Sequence, residues 1–450
     1  MMPWGKTAIT SDFLNHGINI KRWILLGIVG VLFLVFGVIE LFNKKHLLIT
    51  NAGFAALLIG LGVLILYMAT MLIIKNFIIL INIGNVDIAN DSKNLGDLNY
   101  EKRVLVKGPK IVVIGGGTGL ATMLRGLKKY TNNITAIVTV ADDGGGSGVL
   151  REDLGILPPG DIRNCILALA DTEPLMEELL QYRFKDGRLK DQNFGNLFLA
   201  AMDGISNNFE EAVQKMSSVL AVTGKVIPVT LDNMILKARL QNGKVIDGES
   251  NIPKAVLELN SPIEEIFIEP EDSRAIKEAL LAIDGADAVI LGPGSLYTSI
   301  IPNLLVREIR DALDKTKALR IYVSNIMTQP GESDNYTVKD HINAIIKHAE
   351  CKVIDYVLVN IGKISDISEE KYQNDNSNMV TINEKEVTKL GIEVIKSDFV
   401  KIQKGYVRHD ADKLAAILLE TIMEKKLFYD KKKIVEYFYL SQRLKENKIK

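Results

Sequence analysis

The hydrophobic residues of this chain follow two contrasting patterns. Up to about residue 81 they form long apolar runs, whereas from residue 108 onward short β-branched runs alternate with stretches whose apolar positions recur every three or four residues. Runs of about twenty apolar residues match the thickness of a bilayer. Short buried strands alternating with amphipathic helices predict a parallel sheet with helices on both faces. The pattern therefore predicts a membrane segment followed by an α/β body.

Two apolar stretches, about 23–42 and 52–74, predict two transmembrane helices within residues 1–81. No small-residue cleavage signature follows them, which favours a retained hairpin over a signal peptide; a buried helical hairpin is the alternative. Basic residues are more numerous on either side of the pair than in the connector that holds Lys44 and Lys45. The predicted protein is a multi-pass protein of the cell membrane, with both termini and the body in the cytoplasm.

Five runs predict the strands of a Rossmann-like, doubly wound, mainly parallel sheet: IVVIGG, ITAIVTVAD, ADAVILG, RIYVSN and DYVLVN. Residues 235–249 alternate around an Asn-Gly turn and predict a small antiparallel accessory hairpin. Residues 365–378 are polar and predict a surface loop.

The domain boundaries follow from changes in composition. Residues 82–107 are rich in Asn, Asp and Gly and predict a linker to the nucleotide-binding body, residues 108–426. Residues 427–450 mix Lys and Arg with Phe and Tyr, which suits either an anionic membrane surface or an ordinary solvated helix.

Composition narrows the classes of function. A net charge of −1 over 450 residues argues against nucleic acid as a partner. The two cysteines, Cys165 and Cys351, show no metal-binding spacing and indicate a reducing compartment. Only five histidines occur, which argues against histidine-based catalysis.

The first strand ends in a glycine-rich turn, in which Gly115, Gly116 and Gly117 precede Thr118 and Gly119. Such a turn lets the backbone approach a phosphate, and the following helix directs free N–H groups at it. The dinucleotide fingerprint is incomplete because its last glycine is replaced by leucine, and no Walker lysine follows. A tight strand-to-helix turn without a ligand is the alternative.

The second strand ends in Asp142, Asp143 and Gly144, and further glycines follow. Two adjacent carboxylates can hold Mg²⁺ beside a phosphate or accept a hydrogen bond from a sugar hydroxyl. The alternative is that one aspartate caps a helix and the other is solvated.

In the segment PPGDIRN, the two prolines and Gly160 end one element, and Asp161 is placed to cap a helix with Arg163 and Asn164 in its first turn. An arginine there opposes the helix dipole, which favours an anionic partner over a surface ion pair. Asn196 begins a later helix, either as a ligand contact or as a simple polar start.

Two later turns repeat this arrangement. Gly294, Ser295 and Tyr297 follow one strand, and Asn325 and Thr328 follow the next. Because carboxyl ends of parallel strands meet at one edge of a sheet, we expect all these turns to share a nucleotide cleft.

Six segments together resemble one known family: IVVIGGGTGL, ADDGGGSGVLR, PPGDIRN, FGNLFLAAM, GPGSLYTSIIPNLL and NIMTQPGESDNYTVKDH. They are similar to the bacterial gluconeogenesis factors, within the 2-phospho-L-lactate transferase (CofD-like) superfamily, over residues 110 to about 420. One departure is Gly146, where relatives often carry serine. The resemblance implies a Rossmann-like protein that binds UDP-N-acetylglucosamine and regulates cell shape and cell-wall synthesis during gluconeogenic growth.

The resemblance also implies roles for individual residues. Gly115 to Gly119 would lie near the nucleotide, Asp142 and Asp143 near a metal or the sugar, and Gly294, Ser295 and Tyr297 near the uridine or diphosphate. The alternative function is a transferase of phospho-lactyl groups, with both aspartates on Mg²⁺ and Arg163 on the developing charge. No evident general base or nucleophile accompanies the loops, which favours a regulator. The protein partners are not identifiable from the sequence, and a homo-oligomer is compatible with it.

Overall fold

The computed structural model describes residues 20–42, 49–81, 108–364, 366–403, 405–428, 437, 440, 441 and 444. The chain divides into two compact units, Met1–Leu95 and Gly96–Lys450. The predicted linker, residues 82–107, lies outside the described residues.

The first unit contains two helices, α1 (Ile20–Phe42) and α2 (Ile49–Ile81), that pack against each other. Small residues allow the close approach: a Cβ added to Gly62 would lie 2.9 Å from the Gly30 carbonyl oxygen. Within the described residues, the segment Gly53–Met71 is long and apolar enough to cross a membrane, whereas the apolar segment Leu26–Glu40 is shorter. The two helices lie where the sequence places them; that they cross a membrane stays a prediction, and the span over residues 23–42 has the weaker support.

The described part of the second unit contains twelve strands: β1 (Ile111–Gly115), β2 (Ile134–Val138), β3 (Lys225–Pro228), β4 (Ile235–Leu240), β5 (Val245–Asp247), β6 (Ile263–Glu269), β7 (Ala288–Leu291), β8 (Leu319–Val323), β9 (Tyr356–Asn360), β10 (Glu393–Ser397), β11 (Val400–Gln403) and β12 (Tyr406–His409).

Its helices are α3 (Gly117–Leu127), α4 (Gly145–Leu154), α5 (Gly160–Leu169), α6 (Pro174–Gln181), α7 (Phe194–Gly204), α8 (Phe209–Val219), α9 (Ile252–Leu259), α10 (Lys277–Asp284), α11 (Ile301–Leu305), α12 (Arg307–Lys315), α13 (Val338–Ala349), α14 (Asp366–Asn374), α15 (Glu384–Lys389) and α16 (Ala411–Ile422). Single helical turns cover Glu249–Asn251, Leu296–Ile300 and Met423–Leu427.

Seven parallel strands form the main sheet in the order β10-β9-β8-β7-β1-β2-β3. Strands β1, β2, β7 and β9 are almost entirely buried, as expected for a parallel sheet covered on both faces. The chain runs outward from β1 to β3, then returns to β7 and runs outward on the other side. This reversal between β1 and β7 is the switch point at which doubly wound folds bind ligands.

The five predicted central strands are confirmed as β1, β2, β7, β8 and β9. The predicted accessory hairpin is confirmed as β4 and β5, which β6 extends to a three-stranded antiparallel sheet. Strands β11 and β12 form a separate antiparallel hairpin.

The predicted surface loop over residues 365–378 is wrong, because residues Asp366–Asn374 form α14. Its Glu, Lys and Gln residues favour helix despite their polarity. Tyr372 anchors the helix, since its hydroxyl accepts a hydrogen bond from the Val407 N–H at 2.9 Å. Within the predicted basic-aromatic tail, Leu440 and Leu444 are buried, and all of the Lys and Arg residues lie outside the described residues.

Candidate functional site

Two glycine-rich loops meet at the switch point. β1 continues through Gly116 into α3, whose first residue Gly117 has φ of +71°, a conformation that favours glycine. A Cβ built on Gly119 would lie 2.8 Å from the Pro293 carbonyl oxygen, and one built on Gly294 would lie 3.1 Å from the Gly116 carbonyl oxygen. The absence of side chains at these glycines therefore lets the loops after β1 and β7 touch.

A cleft of about 640 Å³ opens beside these loops. Half of the residues singled out from the sequence line it, namely Gly117, Thr118, Gly119, Asp142, Asp161, Gly294, Ser295, Asn325 and Thr328. The other half do not, namely Gly115, Gly116, Asp143, Gly144, Gly160, Arg163, Asn164, Asn196 and Tyr297. The structure thus brings the loops after β1, β2, β7 and β8 to one cleft. The predicted site residues therefore fall into a group that lines the cleft and a group that does not.

The two adjacent aspartates have different surroundings. Asp142 lines the cleft, and its Oδ1 accepts a hydrogen bond from the Gly144 N–H at 2.9 Å. Asp143 Oδ1 instead accepts from the Ser250 N–H at 2.9 Å. Asp142 is therefore available to a ligand, whereas Asp143 holds the turn Glu249–Asn251 against the loop after β2.

Asp161 is the second residue of α5 and lines the cleft. The prediction that it caps its own helix is wrong, because Pro159 occupies that position. Its carboxylate instead accepts a hydrogen bond from the Gly117 N–H at the start of α3. Burial, with the nearby Asp142 carboxylate, raises the pKa of Asp161 to about 6. A carboxyl group thus contacts the helix terminus at which the sequence predicts a phosphate.

Arg163, Asn164 and Asn196 form a polar layer behind the cleft. Arg163 Nη2 donates to Asn164 Oδ1 at 2.7 Å, while Arg163 Nε and Asn196 Oδ1 are buried with no hydrogen-bond partner among the described residues. Burial, with the neighbouring Arg183, lowers the pKa of Arg163 to about 10, so the guanidinium is charged at neutral pH. This charge favours the ionised form of Asp161.

A chain of hydrogen bonds runs along the cleft wall from Ser295. Ser295 Oγ donates to Gln329 Oε1, and Gln329 Nε2 donates to Glu332 Oε1, each at 2.7 Å. Thr298 Oγ1 lies 3.3 Å from the same Glu332 oxygen and also hydrogen-bonds to Glu249. Ser295 is therefore held in a polar network and is not placed beside a general base.

Two carboxyl groups of this wall have pKa values near or above neutrality. Burial raises the pKa of Glu332 to about 7. Burial, followed by the charges of Asp142 and Glu332, raises the pKa of Glu249 to about 8. The Thr298 hydroxyl has a single proton and can donate to only one of the two glutamates. A protonated Glu249 that donates to Thr298, which donates to Glu332, satisfies all three groups.

Tyr297 lies beneath the cleft. It is 3% exposed, and its hydroxyl is 2.8 Å from the Tyr336 hydroxyl. Burial raises its pKa well above the ordinary range. Tyr297 therefore supports the loop after β7 from within the core.

Asn325 and Thr328 follow β8 and line the opposite wall. The Thr328 N–H donates to the Asn378 carbonyl at 2.7 Å, and Thr328 Oγ1 accepts from the Asn378 N–H at 2.9 Å. Asn325 Oδ1 is buried with no hydrogen-bond partner among the described residues. An unsatisfied buried acceptor beside a cleft suggests a ligand or water donor.

Two residues that no sequence motif indicates, Arg408 and His409, reach the cleft from β12. The Arg408 side chain is exposed, and its guanidinium lies 5.3 Å from the centre of the Tyr406 ring. Burial lowers the pKa of His409 to about 4, so this imidazole is neutral at pH 7. Among the described residues that line the cleft, Arg408 is the only Lys or Arg. Its position depends on a hairpin outside the main sheet, which no local motif marks.

The metal expectation has limited support in the geometry. No group of three or more His, Cys, Asp and Glu side chains among the described residues is arranged to hold a metal ion. Of the predicted pair, Asp142 alone lines the cleft. Mg²⁺ commonly uses one or two carboxylates together with substrate phosphates, so Asp142 suits a metal carried in with a diphosphate.

The parallel sheet, with its switch-point cleft and paired glycine loops, defines an α/β protein of the doubly wound class. The family model described as 2-phospho-L-lactate transferase CofD matches residues 111–400. A putative gluconeogenesis factor from Clostridium acetobutylicum is 65% identical over 438 residues, which cover 97% of each chain. A gluconeogenesis factor from Bacillus subtilis is 46% identical over 317 residues, covering 70% of this chain and 99% of the relative.

A crystal structure of a Bacillus halodurans protein agrees with the fold. Its TM-score is 0.67 at 44% identity, and the match covers 69% of this chain and 99% of that chain. The chain described here belongs to the gluconeogenesis factor family and carries its CofD-like domain.

Proposed function

We propose that the cleft binds UDP-N-acetylglucosamine and that the protein is a regulator whose occupied state controls cell shape and cell-wall synthesis during gluconeogenic growth. The observation that carries the proposal is a cleft with two apposed glycine loops and one lining arginine, which suits a diphosphate. Cell-wall synthesis or regulatory proteins would respond to the occupied state.

The polarity of the cleft suggests how such a ligand lies. Arg408 would pair with one of the two negative charges of the diphosphate, while the backbone of Gly117 and Gly294 allows its close approach. Asn325 Oδ1 would accept a hydrogen bond from the imide N–H of uracil. Asp142 would accept a hydrogen bond from a sugar hydroxyl or bind Mg²⁺ held by the diphosphate.

Calorimetric titration of residues 96–450 tests the proposal. UDP-N-acetylglucosamine, UDP-glucose, NAD and GTP are each added with and without Mg²⁺. The proposal predicts selective binding of UDP-N-acetylglucosamine. Equal affinity for all four nucleotides, or no binding of the first, would contradict it.

Removal of the Arg408 side chain, which lines the cleft, gives a sharper test. Arg408→Ala should weaken UDP-N-acetylglucosamine binding roughly 10- to 100-fold, since a hydrogen bond to a charged group contributes about 1.5–3 kcal/mol. Lys401→Ala is the matched control, because Lys401 pairs with Arg408 across the same hairpin, is exposed and does not line the cleft. If both variants lost the same affinity for UDP-N-acetylglucosamine, the loss would come from the change in net charge and not from a contact of Arg408 with the ligand.

A second candidate is a metal-dependent transfer of phospho-lactyl groups. The match to the family model of a transferase over residues 111–400 favours it. A role for Arg163 on the developing charge has weak support, since Arg163 does not line the cleft and its guanidinium donates to Asn164. Product formation from a bound nucleotide with Mg²⁺, lost in Asp142→Asn, would support the transferase.

The proposed location is the cell membrane, with α1 and α2 as an anchor and the body in the cytoplasm. The segment Gly53–Met71 within α2 supports the anchor. The Clostridium acetobutylicum relative covers 97% of this chain, so it extends through most of the N-terminal unit as well. An anchored body would act close to the site of cell-wall assembly.

A further inference from the structure

Helix α6 exposes most of its apolar side chains. Leu175, Met176 and Leu179 are 76%, 41% and 43% exposed, whereas Leu180 is buried. Residues three and four apart share one face of a helix, so the three exposed side chains form a continuous strip. Tyr182 follows the helix and is 46% exposed. Leu175, Met176, Leu179 and Tyr182 are called the α6 patch, and an exposed apolar patch of this kind indicates an interaction surface.

The helix side of the α6 patch is acidic, and the loop that follows it carries most of the basic residues nearby. Glu173 and Glu178 are exposed on the helix side. The loop after Tyr182 is closed by an antiparallel bridge between Arg183 and Asn193. This loop carries three exposed basic residues, Lys185, Arg188 and Lys190, together with two exposed acidic residues, Asp186 and Asp191. Among the described residues, the two glutamates and three basic residues have no ion-pair partner.

We propose that the α6 patch binds the α6 patch of a second copy of this chain. A two-fold axis places the same surface on both copies. The acidic helix of each copy then faces the basic loop of the other copy, which gives two equivalent contacts. The same pairing buries Leu175 and Leu179 of both copies. The exposed acidic residues of the helix and the loop offset the basic residues of the loop, which disfavours an anionic lipid surface and favours a protein partner.

Residues 96–450 are suitable for the test, since the Bacillus halodurans relative forms the same fold with 99% of its chain matched by 69% of this one. Sedimentation velocity over a range of concentrations compares the wild type with two charge reversals. The acid reversal is Glu173→Lys with Glu178→Lys, and the base reversal is Lys185→Glu with Arg188→Glu.

The wild type should form dimers. Each reversal alone should weaken dimerisation about tenfold or more, because like charges then face each other at both contacts. An equimolar mixture of the two reversals should form a heterodimer, since opposite charges again face each other. A control reversal on α9, Lys254→Glu with Glu258→Lys, should dimerise like the wild type.

Several results would overturn the proposal. If the wild type stays monomeric at its highest soluble concentration, a second copy is excluded as the partner of the α6 patch. Co-flotation of this monomer with anionic vesicles would assign the patch to lipid. Dimers that persist in both reversals place the interface elsewhere. Circular dichroism of each variant guards against misfolding, and Leu175→Ser with Leu179→Ser provides a second, uncharged disruption that should also give monomers.

Discussion

Glu249 is the cleft residue whose ionisation is most strongly opposed, with a pKa raised to about 8. The carboxyl groups of Asp142, Glu332 and Asp143 face it, and the Thr298 hydroxyl bonds to it. The folded state therefore binds a proton that the unfolded state releases between about pH 4.5 and about pH 8. The free energy of unfolding should fall as pH rises through this window, by up to about 1.4 kcal/mol per pH unit for this group.

Denaturant unfolding from about pH 5 to about pH 9 measures this dependence. Glu249→Gln should show a flatter decline than the wild type, because the amide does not ionise. The exposed Glu258 on α9 offers a control, and Glu258→Gln should follow the wild type. Identical slopes for all three proteins would show that Glu249 ionises normally in the folded state.

Individual residues show how far the site could be predicted from the sequence. The glycines at 117, 119 and 294 and the carboxylate of Asp142 follow strands, and strand ends of a parallel sheet necessarily meet. Asp143 follows the same strand but bonds to Ser250, a residue more than a hundred positions away. Arg408 reaches the cleft through a hairpin outside the sheet. Both outcomes depend on tertiary contacts that no local pattern encodes.

The apposition of the loops after β1 and β7 makes Gly119 a position of α3 at which a side chain would disturb the cleft. Gly119→Ala would force its Cβ to within 2.8 Å of the Pro293 carbonyl oxygen. We expect a loss of about 1–3 kcal/mol in stability, and weaker UDP-N-acetylglucosamine binding because the loops separate. Gly204→Ala at the end of α7 is the control, since its Cβ would meet nothing within 4 Å.

Thermal unfolding and calorimetric titration of both variants check the role of Gly119. Gly204→Ala should retain wild-type stability and affinity. A Gly119→Ala protein with wild-type affinity would show that the close approach of the two loops is unnecessary for the ligand.

Among the elements, hydrophobic pattern identified the buried strands and the Asn-Gly hairpin. It missed the edge strand β10, which is only partly buried and carries less apolar signal. It also missed α14, because a polar segment with one anchoring residue, Tyr372, has the composition of a loop. Elements at the margin of the core were therefore the least predictable.

At the scale of the whole molecule, the anchor predicts a defined topology. With Cys165 and Cys351 replaced by serine, Asn43→Cys in the predicted connector should react with an impermeant maleimide in intact cells. Lys254→Cys, exposed on α9 of the body, should react only after permeabilisation. Labelling of Lys254→Cys in intact cells would reverse the proposed orientation, and recovery of the full chain in the soluble fraction would contradict the anchor.

The most direct measurement is hydrogen exchange of residues 96–450 with and without UDP-N-acetylglucosamine. The central claim predicts slower exchange at Gly117–Gly119, around Gly294 and along β12, all of which border the cleft. The groove at the opposite edge of the sheet, near Lys110 and Lys225, should be unchanged. Protection confined to that groove, or no protection despite saturating ligand, would contradict the assignment of the switch-point cleft.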